Sequence, residues 1–176
     1  MFTGFSKEIV EIFIDRAGKE LAGDWVLLGG SLSLLLGITS RVTHDIDIVG
    51  PKDARQSDTL KLMQIALDLA LPVESINQAA AFFLFKVSNW QNQIVLIHKG
   101  AHARIFRPNA TLFIQLKIAR MSESDSEDIL GMIAFAAAED ESIDTPHLIS
   151  LIEQLAHATE NTAIVQRLEH VRKALL

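Results

Sequence analysis

The sequence predicts an α/β fold, with a mixed-sheet core over residues 1–108 and a helical C-terminal part, residues 109–176, packed on it. Three observations lead there. Short apolar runs, residues 25–28 and 46–49, end in glycine or glycine-proline, as buried strands do. Amphipathic stretches with the 3.6-residue spacing of helices lie before and after them. Beyond Pro108 the pattern is helical to the end of the chain.

In order along the chain, residues 6–22 place Ile9, Ile12, Phe13, Ala17 and Leu21 at helical spacing, with Lys7, Glu8, Glu11 and Lys19 between them. Gly23 and Asp24 stop that helix. Trp25, Val26, Leu27 and Leu28 form a buried strand running into a Gly29-Gly30 turn. Ser31 is then placed to N-cap a short helix over residues 32–36, with Gly37 as its C-cap. The next strand spans residues 46–49 and is closed by Gly50-Pro51. A helix over residues 57–70 carries Leu60, Met63, Leu67 and Leu69, and Leu71-Pro72 ends it. Three β-type stretches follow at residues 82–87, 93–97 and 103–106. A hairpin through residues 88–92 joins the first two, and Lys99-Gly100 turns into the third. In the C-terminal part, residues 111–121 form one helix. Ser124-Asp125-Ser126-Glu127 reads as a capping box for a second, carrying Ile129, Met132, Ile133 and Phe135. Thr145-Pro146 opens a third, and residues 160–175 make a fourth.

Composition narrows the function. With 49% hydrophobic and 22% charged residues, the 176-residue chain is globular in character. Asp24 and Arg41 bracket its longest apolar stretch, which glycines and Ser31 interrupt, so no membrane span is expected. Lys7, Glu8, Glu11 and Asp15 break the N-terminus before a signal-peptide h-region forms. The absence of cysteine removes disulfides, thiolate zinc sites and thiol nucleophiles. A cytoplasmic location is the expectation. The net charge of −6 argues against a surface for duplex DNA, although Lys99, Arg104 and Arg107, with Lys117 and Arg120 further on, make a locally basic region.

The stretch that carries chemistry runs from Leu28-Gly29-Gly30-Ser31 through a short helix to Asp45-Ile46-Asp47-Ile48. Carboxylates at i and i+2 of a strand share a face, and the intervening isoleucines point to the core. Two like charges side by side repel unless they are protonated or bridged by a cation. Oxygen-only ligands favour Mg²⁺ or Mn²⁺. Upstream, a glycine turn at a helix N-terminus presents backbone N–H groups to phosphate, and Ser31 adds a hydroxyl. Alone, each half has a plain structural reading, a turn with an N-cap and a solvated strand end. Their succession points to a metal ion bridging carboxylates and phosphates.

These residues resemble the nucleotidyltransferase superfamily with the DNA polymerase beta-type fold, especially its small stand-alone prokaryotic members, some of which are toxins of toxin–antitoxin pairs. The resemblance implies that Asp45 and Asp47 bind catalytic magnesium and that Gly29, Gly30 and Ser31 hold the triphosphate of an NTP. Arg41-Val42-Thr43-His44-Asp45 is similar to the Arg-x-Thr-x-Asp approach of one subgroup, which makes Arg41 a nucleotide-binding candidate. Lys117, followed by Asp125 and Asp128, is similar to that subgroup's lysine-then-aspartate helix. By the residues alone, Lys117 either snorkels to the surface or contacts phosphate, and Asp125 and Asp128 either cap a helix or belong to the site. A third carboxylate, which active members take from a later strand, is missing from residues 82–87 and 93–97, and Glu74 falls in a loop before them.

Two functions follow as expectations. One is a metal-dependent nucleotidyltransferase acting on an acceptor hydroxyl of RNA, protein or a small molecule. The other is a non-catalytic nucleotide-binding module or partner protein on the same fold.

Overall fold

The computed structural model describes residues 4–39 and 41–176. They fall into two compact units, one ending at Pro108 and the other spanning Asn109–Leu176. No helix among the described residues is long and apolar enough to cross a membrane.

The first unit opens with α1, Lys7–Glu20, capped by Ser6, whose Oγ accepts from the Ile9 N–H. Its inner face buries Val10, Phe13, Ile14 and Ala17, whereas Ile12, expected on the apolar stripe, faces out at 46% exposure. Strand β1, Gly23–Leu28, follows, then α2, Gly29–Leu35, and β2, Ile46–Val49. Helix α3, Gln56–Asp68, and a 3₁₀ turn at Val73–Ser75 lead to β3, which is only Ile76–Asn77. A short helix α4, Ala81–Leu84, and a second 3₁₀ turn at Trp90–Gln93 connect to β4, Ile94–Lys99, and β5, Ala103–Pro108.

The five strands make one mixed sheet in the order β3-β2-β1-β5-β4. Strand β2 runs antiparallel to β1, with Leu28 opposite Asp47, and β5 runs parallel to β1. Strand β3 lies parallel to β2, and β4 pairs antiparallel with β5 across a bulge between Leu96 and His98. The α/β class and mixed sheet expected from the sequence are therefore present. Trp25, Leu27, Ile46, Ile48, Leu62 and Ile65 are fully buried, so β1 and β2 are central to the core.

The structure corrects three local expectations. Residues 82–87, expected as a strand, begin in α4 instead, and no 82–97 hairpin forms; β4 takes β5 as its partner. Apart from Lys86 that stretch is apolar and has no period to distinguish strand from helix. With Phe82 and Phe83 exposed and only Leu84 fully buried, a single helical turn seats it by one side chain. Ser31 is not an N-cap, because α2 already starts at Gly29 and Leu28 occupies the capping position without a side-chain bond. In the second unit, the capping box is Ser122 with Asp125, two residues earlier than Ser124 with Glu127.

The second unit consists of α5, Ala110–Ile118, α6, Glu123–Ala138, α7, Thr145–Ala158, and α8, Thr162–Leu175. Helix α5 packs on α6 and α7, and α8 packs on the same two. Ile129, Met132, Leu148, Ile152, Leu168 and Val171 are buried on these helices. Side-chain caps from Asn109, Ser122, Asp144 and Asn161 start all four helices by accepting otherwise unpaired N–H groups.

Candidate functional site

The site is assembled where β1 ends and β2 begins. The alternation expected of the Asp-Ile-Asp-Ile run is visible in burial: Ile46 and Ile48 are fully buried, Asp45 is exposed and Asp47 is half-buried. Because Leu28 sits opposite Asp47, the glycine turn that follows Leu28 meets the second carboxylate directly.

That meeting is sterically tight. Gly29 has φ +59°, and a Cβ built on it would fall 1.8 Å from Asp47 Oδ2. A Cβ on Gly30 would lie 2.9 Å from Thr43 Oγ1. The two glycines thus make room for the chain's own acidic segment, and the left-handed backbone at Gly29 is one that glycine adopts without penalty. Ser31 completes the junction from full burial: its Oγ accepts from the Asp47 N–H at 3.3 Å and donates to the Leu28 carbonyl at 3.0 Å. Its single proton is used there, so Ser31 ties the start of β2 to the turn. Thr43 Oγ1 donates to the Asp45 carbonyl at 3.2 Å, shaping the approach to the strand.

Asp47 has a partner that the sequence reading missed. On β3, Asn77 is its cross-strand neighbour, and Asn77 Nδ2 donates to Asp47 Oδ1 at 2.7 Å. The only sequence sign of this strand is that Ile76-Asn77 repeats the apolar-polar order of Ile46-Asp47, and two residues are too few for a period. Asp45, by contrast, has no hydrogen-bond or ion-pair partner for its carboxylate among the described residues. Arg41 is half-buried in the loop before β2, with Nε donating to Thr39 Oγ1 at 3.3 Å.

With the geometry in place, the sequence profile of a family described as nucleotidyltransferases of unknown function, DUF6036, matches residues 7–174. The chain belongs to that family. No curated protein and no solved structure gives a significant match.

In this member of the family the structure joins Gly29, Gly30, Ser31, Asp45 and Asp47 into one constellation within the first unit. Lys117 belongs to the second unit, where its ammonium lies 2.7 Å from Asp128 Oδ2 and 3.2 Å from Asp125 Oδ1. All three side chains are buried, and Asp125 also accepts from Arg120 Nε at 2.7 Å and Ser122 Oγ at 2.6 Å. A phosphate at Lys117 would compete with two carboxylates already holding its charge. Among the described residues, no group of three or more His, Asp or Glu side chains is arranged to hold a metal ion.

The steric interlock supplies a direct test. Gly29→Ala adds both a clash with Asp47 Oδ2 and a left-handed backbone that costs an alanine about 1–2 kcal/mol. The expected result is a modest fall in melting temperature but loss of any nucleotide-induced stabilisation, because the Asp47 carboxylate must swing away. Gly30→Ala, with no positive φ and a milder contact, should retain most of that stabilisation. Equal nucleotide responses from the two variants, read by thermal melting, would disprove the interlock.

Proposed function

We propose that the chain transfers a nucleoside monophosphate from an NTP to an acceptor hydroxyl. The acceptor oxygen bonds to the α-phosphorus, its proton passes to solvent or a nearby base, and pyrophosphate leaves. The observation that supports this reading most is the interlock of the glycine turn with Asp47, which joins a phosphate-type turn and an acidic strand into one rigid unit.

The donor set suits a hard divalent cation. Asp45, immediately before β2, offers an exposed carboxylate without a protein partner among the described residues, and Asp47 follows two residues later within the strand. Mg²⁺ or Mn²⁺ bound there would neutralise phosphate charge. Asp45 and Asp47 would hold the cation. Gly29 and Gly30 keep the turn close to the acidic segment, Ser31 positions the Asp47 backbone, and Arg41 is the cationic side chain nearest to them in sequence for phosphate charge.

A second reading is favoured by one feature: a carboxamide, Asn77, stands beside Asp47, and no third acid joins the pair among the described residues. General-base assistance is commonly worth about 10² to 10⁴ in rate, so a site without it can bind nucleotide and turn over slowly. Incubation with each α-labelled NTP and a panel of RNA, protein and small-molecule acceptors separates the two. Label transferred by the wild type and lost in Asp47→Asn supports the transferase. Stabilisation by nucleotide with no transfer to any acceptor supports the binding module.

A further inference from the structure

We propose that Asn77 limits the Asp45/Asp47 pair to a single divalent cation, taken up together with the nucleotide phosphates rather than by the protein alone. This rests on the nucleotide reading above and deepens it by naming the form in which the ligand is recognised, a metal–nucleotide complex.

The orientation of the Asn77 amide is chemically determined. Its Oδ1 accepts from the Ala79 N–H at 3.0 Å, so its Nδ2 is the atom left to face Asp47, and a carboxylate can only accept. The result is an N–H donor, carrying partial positive charge, on the β3 side of Asp47. A cation lodged between β2 and β3 would meet that donor instead of an oxygen. It would also have to displace a 2.7 Å hydrogen bond to a half-buried carboxylate. On the other side, Asp47 Oδ2 abuts the Cα of Gly29, and Asp45 is exposed. Both of these sides of Asp47 are closed to a cation, which leaves the exposed Asp45 carboxylate as the point of entry to the pair.

Two carboxylates alone make a poor cage for Mg²⁺, which demands six oxygens in near-octahedral geometry. One or two carboxylates with phosphates and waters complete that shell. The phosphates must then bring the missing oxygens. The amide gives Asp47 a neutral donor, where an acid would add a third negative charge.

The test is Mn²⁺ binding, followed by loss of the free-ion EPR signal, with and without a non-hydrolysable NTP analogue. Mn²⁺ held by the analogue in protein-free buffer is subtracted. Wild type is compared with Asn77→Asp and with the exchange Asp47→Asn/Asn77→Asp, which keeps two acids. The wild type is expected to retain Mn²⁺ only with the analogue. Asn77→Asp should bind Mn²⁺ alone more tightly by about 10- to 100-fold, the range over which a ligand-shell change acts, and the exchange variant should show no such gain.

Should Asn77→Asp be unfolded in chelator, recovery of its melting transition on adding Mn²⁺ reads the same gain. No gain by either measure overturns the proposal, as does wild type binding Mn²⁺ equally well without the analogue. If the wild type binds no analogue at all, the nucleotide reading falls and takes the phosphate half of the proposal with it. A metal-only site in Asn77→Asp would still support Asn77 as the residue that withholds it.

Discussion

Replacing Asp45 and Asp47 together by asparagine should abolish the rise in melting temperature that Mg²⁺ or Mn²⁺ with an NTP gives the wild-type chain. A ligand that binds only the native state stabilises it by RT ln(1 + [L]/Kd), about 2.7 kcal/mol at a hundredfold excess over Kd. For a chain of this length that is a shift of roughly 5–10 °C. The variant should keep its fold, because Ile46 and Ile48 still fill the core and the Asp47 N–H still bonds to Ser31. A ligand shift that survives in the double variant would move the site elsewhere.

The largest loss of stability is expected from Lys117→Met. Lys117 is 7% exposed, and its two partners, Asp125 and Asp128, are 0% and 2% exposed. Removing one member of a buried ion pair leaves uncompensated charge and costs about 3–5 kcal/mol, whereas a pair replaced as a whole often costs little. The melting temperature should therefore fall by roughly 10 °C at neutral pH. A triple variant that also neutralises both aspartates should recover part of the loss. If Lys117→Met melts like wild type, the buried network contributes nothing.

The same network has a pH signature. Burial alone would push the Asp125 carboxyl up, but hydrogen bonds from Arg120 and Ser122 and the Lys117 charge outweigh it and hold the group far below the ordinary carboxylate range. A depressed folded-state pKa contributes stability above the unfolded value, about 3.9 for aspartate, and loses it as pH falls further. Wild-type melting should be flat above about pH 5 on this account and decline below about pH 4. For Lys117→Met the deficit against wild type should shrink towards acid pH, because protonation relieves the exposed imbalance. A deficit independent of pH would point to lost packing of the lysine stem instead.

Much of the candidate site was legible before the structure because its parts are local. Glycines followed by a serine mark a turn entering a helix, and the Asp45–Ile48 alternation marks a strand with one polar face. Both signals need only a few adjacent residues. The residues carrying them do meet, as Leu28 opposite Asp47 shows. What each does there was less legible. Ser31 reads as a cap with a hydroxyl to offer phosphate, yet it is buried and its proton goes to Leu28. The glycines read as room for a ligand, yet the nearest occupants are Asp47 and Thr43.

By itself, then, the sequence determined the α/β class, the order of strand, glycine turn, helix and acidic strand, and the four C-terminal helices, because each is written in a period repeated over several residues. The tertiary structure alone decided that residues 82–87 start as a helix, that β4 pairs with β5, and that Asn77 reaches Asp47 from 30 residues away. A run that is apolar but for Lys86 has no period, and a two-residue strand is too short to show one. Their conformations come from the neighbours they pack against, and those neighbours are brought near only when the sheet forms.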